Sequence, residues 1–228
     1  QKVAKHGNYS VSSKSGSSDM LQSFGYKFTN DEATLQSHLE KANICFLHAP
    51  KFHPAMKAVS PTRKALALKT FFNMLGPLVN PSSPQNLMLG TFNLEIARLY
   101  HYILQEEKSN YGIIHGLDGY DEISLTSEFK LFTKSGEELI HPEDIGQKRI
   151  LQTDIYGGDS VTTAAKIFKN IIEGKGTKAQ NNVVLTNAAF ALKIIDAKKS
   201  FEDAFELSKD SLFGGKASQC LHQLITNC

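Results

Sequence analysis

Residues 87–114 read LMLGTFNLEIARLYHYILQEEKSNYGII and decide the fold class of the chain. The apolar runs at 87–92 and 111–114 have the length of buried strands. Between them, Leu94, Ala97, His101 and Leu104 recur at the spacing of one helical face. Alternation of strand, helix and strand implies parallel strands covered by helices. The sequence therefore predicts an α/β fold with a mostly parallel central sheet flanked by helices.

The same kind of pattern extends to both sides of this stretch. Upstream, ICFL at 44–47 is stopped by HAP at 48–50, which suits a buried strand that delivers a loop to one sheet edge, and Asn30 can cap the helix before it. Downstream, residues 123–132 alternate apolar and polar side chains, as in an antiparallel hairpin or edge strand. Further helices are predicted at 159–173, 183–195 and 201–212. We expect one α/β domain over residues 1–228.

The composition is that of an ordinary globular protein. The chain has 25 Lys+Arg against 23 Asp+Glu, a formal net charge of +2, with 41% apolar and 21% charged residues. These values exclude disordered and collagen-like classes. The apolar stretches fall short of the roughly 20 residues that cross a bilayer, so no membrane association is expected. Near-neutral charge gives no general attraction to nucleic acid, so we expect any anion to be bound by a dedicated site.

The cysteines bear on the cellular location of the protein, and the first residues bear on whether the chain is part of a longer protein. Cys45, Cys220 and Cys228 form an odd set without C-x-x-C spacing, which argues against a zinc site or a disulfide framework. A cytoplasmic location is the simpler expectation. The chain starts at Gln1 and its first residues read like the middle of an element, so we expect further sequence upstream.

A Gly/Ser-rich segment with two cations lies at the front of the chain. It runs from KHGN at 5–8 to SSKSGSSD at 12–19, just before a predicted helix. Backbone amides and hydroxyls in such a segment can hold a phosphate. A solvated turn is the equally valid alternative, because Gly/Ser loops commonly precede helices. The spacing is neither that of a P-loop nor that of a dinucleotide fold.

An acidic loop, HGLDGYDE at 115–122, follows the apolar run at 111–114. It should therefore lie at the carboxyl end of a strand, where open α/β sheets bind ligands. The adjacent carboxylates of Asp121 and Glu122 make a partial coordination sphere suited to magnesium, which keeps water and substrate phosphates as its other ligands. An acidic D-G turn without metal is the alternative.

Residues 50–81 combine proline, aromatic and basic side chains. Arg63 near Met56 and Pro50 can bind a planar carboxylate bidentately in an apolar slot, although a helical Arg is more often a surface residue. The histidines are scattered, and no Ser/His/Asp, Cys/His or H-E-x-x-H arrangement is present. A covalent nucleophile is therefore not expected.

Taken in order, these segments resemble the anthranilate phosphoribosyltransferase family of tryptophan biosynthesis. The resemblance is carried by KHGN at 5–8, SSKSGSSD at 12–19, FLHAPKFHPAMK at 46–57, FNMLGPLVNP at 72–81 and HGLDGYDEISLT at 115–126. It implies the large α/β domain of that family, which is related to the pyrimidine nucleoside phosphorylases. It also implies transfer of the phosphoribosyl group of phosphoribosyl pyrophosphate to the amine of anthranilate, with Mg²⁺ and release of diphosphate.

The resemblance assigns roles to the residues that match the family motifs. The phosphoribosyl pyrophosphate side would be formed by Lys5, Asn8, Ser12, Ser13, Ser15, Gly16 and Ser17. The anthranilate side would be formed by His6, Gly7, Asn8, Pro50, Met56 and Arg63. Asp121 and Glu122 would hold magnesium on the diphosphate. Catalysis would then rest on positioning and electrostatic stabilisation, in agreement with the lack of a nucleophile.

The chain departs from the family in several places. The family begins with a small helical domain, a G-T-G-G-D segment and an F-N-x-S-T stretch, none of which occurs in these 228 residues. Those parts grip the diphosphate and supply dimer contacts, so this chain alone is expected to be inactive and the full-length protein to be a homodimer. Tyr9 stands where the family usually has Arg, which removes a cation near the phosphates.

Two other functions remain open at this point. One is a nucleoside phosphorylase of the same architecture, which would use inorganic phosphate and release a base. The other is a non-catalytic paralogue that binds nucleic acid through a basic surface. The small net charge and the intact Asp121–Glu122 pair count against the second.

Overall fold

A computed structural model of the chain describes residues 1–9, 16–54 and 74–226. It confirms the α/β fold class: strands alternate with helices in the described ranges. Within those ranges, no helix combines the length and the apolarity needed to cross a bilayer. The chain divides into two compact units. Unit 1 comprises Gln1–Ser83, Gly157–Lys169 and Ala217–Cys228, and unit 2 comprises Pro84–Tyr156 and Asn170–Lys216.

Unit 1 is built on two parallel strands. Strand β1 (Val3–Gly7) pairs with β2 (Ile44–His48), with Val3 opposite Ile44 and Gly7 opposite His48. Helices α1 (Ser17–Ser23) and α2 (Glu32–Lys41) connect the strands, and α3 (Ala49–Phe52) follows β2. The cap of α2 is Asp31 and not Asn30, because the Asp31 carboxylate accepts the Thr34 backbone N–H at 2.8 Å.

Two apolar clusters cover the strands of unit 1. One contains Leu21, Tyr26, Ala42, Phe46 and Leu224, and the other contains Leu35, Cys45 and Leu47. Burial raises the pKa of the Cys45 thiol, whose residue is only 2% exposed. The Cys45 thiol therefore packs in the apolar core of unit 1.

Unit 2 contains a four-stranded sheet in the order β3 (Asn86–Gly90), β4 (Asn110–Gly116), β5 (Phe129–Thr133) and β6 (Gly136–Ile140). Strands β3 and β4 are parallel and are joined by α4 (Leu94–Leu104), whose cap Asn93 accepts the Ile96 backbone N–H at 2.9 Å. Strands β4, β5 and β6 pair antiparallel. The described strand pairs are thus two parallel and two antiparallel, because a hairpin extends the crossover unit.

The strand predicted over 123–132 begins only at Phe129. Residues before it form a buried turn instead, since Leu125 has a φ of 61° and the Ser124 and Thr126 hydroxyls hydrogen-bond each other at 2.7 Å. A left-handed residue cannot continue a strand. The apolar and polar alternation here reflects which side chains of a turn are buried.

Helices complete the fold. They are α5 (Val161–Ile172), α6 (Lys178–Ile195), α7 (Phe201–Phe213) and α8 (Lys216–Thr226). Helix α6 starts five residues before the predicted position 183, because Thr177 and Gln180 form a capping box. Ala189 and Phe190 of α6 and Ala204 of α7 join Phe129 and Ile114 in the core of unit 2.

We expect Phe129→Ala to lower the free energy of unfolding in urea by about 3–5 kcal/mol, because it leaves a cavity in this core. Phe129 is 1% exposed and lies edge-to-face on Phe190, with ring centroids 5.4 Å apart. Tyr102, which is 71% exposed, provides the control: Tyr102→Ala should change stability by no more than about 0.5 kcal/mol. Equal losses in the two variants would contradict the assigned core.

Candidate functional site

The ends of β1 and β2 bring several predicted residues to one edge of unit 1. Because the strands are parallel, Asn8 and Tyr9 leave this edge beside the start of α3. The Tyr9 ring lies edge-to-face on His48 with centroids 4.7 Å apart. A Cβ on Gly7 would lie 3.8 Å from the Ser17 hydroxyl. The segment after β1, the start of α1 and the segment after β2 therefore meet here.

Two histidines form a hydrogen-bonded pair beside this edge. His6 Nδ1 lies 3.1 Å from the Gly76 carbonyl oxygen, and His6 Nε2 lies 3.2 Å from His53 Nε2. A carbonyl only accepts, so His6 carries its proton on Nδ1, and its Nε2 accepts from His53 Nε2–H. Burial lowers the pKa of His6; His53 and Lys5 lower it further, against the opposing hydrogen bond to Gly76. Burial thereby favours the uncharged form of the His6 ring.

Neither His53 nor Gly76 was among the predicted site residues. The motif FLHAPKFHPAMK contains His53, but nothing in the sequence indicates that its ring meets His6, 47 positions earlier. The only signal for a role of His53 was that it lies close to another histidine, His48, in the sequence.

His48 is a buried histidine that the sequence also did not assign to the site. It is 4% exposed, stacks on Phe28 with centroids 4.3 Å apart, and its Nδ1 lies 3.5 Å from the Ser18 hydroxyl. Burial lowers the pKa of His48, as do Lys51 and His6, with a partly offsetting effect of Asp19. An uncharged ring can therefore take part in the aromatic packing.

A cavity of about 570 Å³ opens next to His48 within unit 1. Its walls include Tyr9, Tyr26, Phe28, His48, Pro50 and Lys51. Aromatic walls with a cation at the edge suit a planar, apolar ligand that carries a negative charge. Pro50, a predicted anthranilate residue, is part of this wall.

The remaining predicted residues of the front segment are only partly described. Lys5 Nζ lies 5.4 Å from the centroid of the Phe46 ring, and the Asn8 side chain accepts the Tyr9 backbone N–H at 2.8 Å. The Gly16 backbone N–H donates to Asp19 Oδ2 at 3.0 Å, so that amide already has a partner within the chain. Five predicted residues lie outside the described residues: Ser12, Ser13, Ser15, Met56 and Arg63.

In unit 2, the acidic loop follows β4 as predicted. Asp121 and Glu122 are both exposed, whereas the Asp118 carboxylate accepts the Thr126 hydroxyl and so belongs to the internal hydrogen bonding of the loop. Gly116 N–H donates to the Tyr120 carbonyl at 2.8 Å, and Gly119, with a φ of 97°, makes the tight turn between them. The loop therefore presents two adjacent, exposed acidic residues.

The end of β3 supports this loop at very close range. A Cβ built on Gly90 would lie 1.9 Å from the Asp121 carbonyl oxygen, so only glycine allows the loop to pass. Next to it, Thr91 N–H and Thr91 Oγ1 both donate to the Ile114 carbonyl, at 2.9 and 3.3 Å. The buried His115 Nδ1 donates to the Thr91 carbonyl at 2.9 Å. The loop thus lies on a hydrogen-bonded platform formed by the ends of β3 and β4.

The carboxylates of this loop suit magnesium better than a metal ion that is surrounded by protein ligands. Among residues 1–9, 16–54 and 74–226, no group of three or more His, Cys, Asp or Glu side chains could hold a metal ion. A zinc site needs three or four such ligands, whereas Mg²⁺ is commonly held by one or two carboxylates together with water and substrate phosphates. The Asp121–Glu122 pair meets the second requirement.

The lowered pKa values of His6 and His48 predict a loss of stability at acidic pH. Unfolded histidines bind protons around pH 6.5, whereas these two bind them only at lower pH when folded. Their contribution is full above pH 6.5 and is lost as the pH falls through the folded-state values. Urea unfolding between about pH 7.5 and 5.5 should show this decline. His48→Phe should reduce it, whereas His222→Phe, on the exposed part of α8, should not. A pH-independent unfolding midpoint in the unmodified chain would contradict this prediction.

The close approach at Gly90 predicts a local effect of Gly90→Ala. The added methyl group must displace the Asp121 backbone, so amide hydrogen exchange over residues 117–122 should become faster and stability should fall by about 1–3 kcal/mol. Gly157 has no atom within 4 Å of an added Cβ, so Gly157→Ala is the control and should change neither quantity. Unaltered amide hydrogen exchange of the loop in Gly90→Ala would show that Gly90 and the Asp121 carbonyl do not stay in close contact.

Comparison with known proteins agrees with the resemblance read from the motifs. The family profile described as "Glycosyl transferase family, a/b domain" matches residues 1–218. The chain is 56% identical to the anthranilate phosphoribosyltransferase of Flavobacterium johnsoniae over 98% of this chain and 67% of that protein. It is 53% identical to the enzyme of the same name from Flavobacterium psychrophilum, over the same shares.

Solved structures of anthranilate phosphoribosyltransferases also resemble the chain. Anthranilate phosphoribosyltransferase from Saccharomyces cerevisiae in complex with PRPP and Mg superposes with a TM-score of 0.90 at 25% identity, covering 99% of this chain and 64% of that one. The enzyme from Thermus thermophilus gives a TM-score of 0.88 at 29% identity, with shares of 98% and 68%. The chain therefore spans about two thirds of the length of these relatives. On the identity to curated relatives and the match of the family profile, the chain belongs to the anthranilate phosphoribosyltransferase family.

Proposed function

We propose that the protein to which this chain belongs transfers the phosphoribosyl group of phosphoribosyl pyrophosphate to the amine of anthranilate, a step of tryptophan biosynthesis. The observation that carries the proposal is the 56% identity over 98% of the chain to an enzyme of that name. The yeast relative that binds PRPP and Mg supports the choice of substrate and of metal.

In the proposed reaction, the amine nitrogen attacks the anomeric carbon of the ribose while the bond from that carbon to the diphosphate oxygen breaks. The amine loses a proton and the diphosphate leaves. Positive charge develops on the sugar and negative charge on the leaving group. Fixed donors and charges that match these positions lower the barrier without a covalent intermediate.

The residues of unit 1 would bind and orient the two substrates. Lys5, Asn8 and the Ser/Gly segment that ends at Ser17 would face the phosphoribosyl group. Arg63 would pair with the anthranilate carboxylate, and Met56 and Pro50 would contact its ring. The His6 ring, whose pKa is lowered by burial and which is hydrogen-bonded to Gly76 and His53, offers an uncharged edge beside Gly7 and Asn8. Such an edge suits an aromatic amine more than a phosphate.

In unit 2, Asp121 and Glu122 would hold the magnesium ion. Magnesium, when bound, neutralises charge on the diphosphate oxygens. Asp118 of the same loop is not assigned to the metal, since its carboxylate accepts the Thr126 hydroxyl within the loop. We further propose that residues 1–228 act as the α/β catalytic domain of a longer cytoplasmic protein, that an upstream helical part completes the diphosphate site, and that the full-length protein is a homodimer.

The metal role is tested by replacing both carboxylates, Asp121→Asn with Glu122→Gln, in the full-length protein. Turnover at saturating substrates should fall about 100-fold or more, because a bound metal supplies several kcal/mol of charge stabilisation. The loss of anthranilate fluorescence with time measures turnover across a Mg²⁺ series. Glu138→Gln, at an exposed position on β6, is the matched control and should retain full Mg²⁺ dependence. Turnover of the double variant that still rises with Mg²⁺ would exclude these residues from the metal site.

A further inference from the structure

Asn187 of α6 holds the backbone of the residue that directly follows the acidic pair. Its Oδ1 accepts the Ile123 backbone N–H at 3.1 Å, and its Nδ2 donates to the Ile123 carbonyl at 2.8 Å. Both backbone groups of Ile123 are thus bound by one side-chain amide. Ile123 is also completely buried, so water does not compete for these groups.

The amide of Asn187 is itself fixed. Its Nδ2 also donates to the Val183 carbonyl at 2.9 Å, one turn earlier in the same helix. This second bond defines which side of the amide carries the donor, and it leaves the oxygen directed at Ile123 N–H. The helix therefore presents a donor and an acceptor of fixed orientation to the loop.

The loop needs such a contact, because its backbone is otherwise irregular. Leu125 adopts a left-handed conformation with a φ of 61° although it is 1% exposed, which is costly for a residue other than glycine. Gly90 contacts the loop on the amino side of Glu122, at the Asp121 carbonyl. Asn187 contacts it on the carboxyl side, at Ile123. Asp121 therefore lies at the first of two fixed points, and Glu122 lies between them.

We propose that Asn187 is a positioning residue for divalent-cation binding, which holds Asp121 and Glu122 in place through the backbone of Ile123. The inference rests on the proposed metal role of that pair. We call the two hydrogen bonds between Asn187 and Ile123 the clamp. Loss of the clamp leaves both carboxylates present but frees the backbone that orients them. Partners that orient metal ligands typically contribute about 10–100-fold to metal affinity, and we expect at least about tenfold here.

The variant Asn187→Asp separates positioning from charge. An aspartate has the same shape and can still accept the Ile123 N–H, but its second oxygen would face the carbonyls of Ile123 and Val183. Its negative charge near the site would by itself strengthen cation binding, whereas loss of the clamp weakens it. The direction of the change therefore identifies the mechanism.

The experiment measures binding of Mn²⁺ alone to the 228-residue chain by the electron paramagnetic resonance signal of free Mn²⁺. Asn187→Ala and Asn187→Asp should both weaken Mn²⁺ binding about tenfold or more and speed amide exchange over residues 117–124. Asn182→Ala is the matched control on the same helix, since Asn182 Nδ2 binds Gln147 Oε1 at 3.0 Å instead of the loop. The control should change neither quantity.

Four results would overturn the proposal. Unchanged Mn²⁺ affinity in Asn187→Ala, while Asp121→Asn with Glu122→Gln abolishes binding, would refute the positioning role alone. Tighter binding in Asn187→Asp would show that charge is what matters. Loss of the folded circular dichroism spectrum in both Asn187 variants would make Asn187 a folding residue. If the double carboxylate variant keeps its Mn²⁺ affinity, the metal role of the loop fails, and the inference fails with it.

Discussion

Parallel strands joined by a crossover end at the same edge of a sheet, and both candidate regions of this chain depend on that constraint. In unit 1, Gly7 lies opposite His48, so the residues after β1 meet those after β2. In unit 2, Gly90 lies opposite Ile114, so the loop after β4 passes over the end of β3. The strands supply buried, regular hydrogen bonding, and the loops that leave this edge carry the polar side chains.

The two regions use different physical means to keep their groups in place. In unit 1, aromatic rings make the contacts: His48 stacks on Phe28, Tyr9 meets His48 edge-on, and burial lowers the pKa of His48. In unit 2, backbone groups provide them, through the Gly90 approach and the clamp on Ile123. The proposed function calls for both kinds of environment: an aromatic substrate suits the first and a metal–diphosphate suits the second.

Much of the architecture follows from local sequence patterns, whereas the groups that orient the site do not. The apolar runs at 44–47, 87–92 and 111–114 each contain a strand, although the second strand already ends at Gly90, and the acidic loop that follows β4 was expected from its position. These features depend on burial periodicity and on turn residues nearby. The ring of His53 meets His6 across 47 positions, and Asn187 binds Ile123 across 64. Contacts of that range are set by how elements pack, which no local pattern encodes. The turn at 123–128 was misread for the same reason, since its burial comes from α6.

The burial of Cys45 between β1 and α2 has a practical consequence. Its thiol is nearly inaccessible and its pKa is raised, so the reactive thiolate is scarce in the closed state. A thiol reagent can attack it only when this part of unit 1 opens transiently. The rate at which Cys45 is alkylated, compared with that of a denatured sample, therefore reports how often β2 separates from α2.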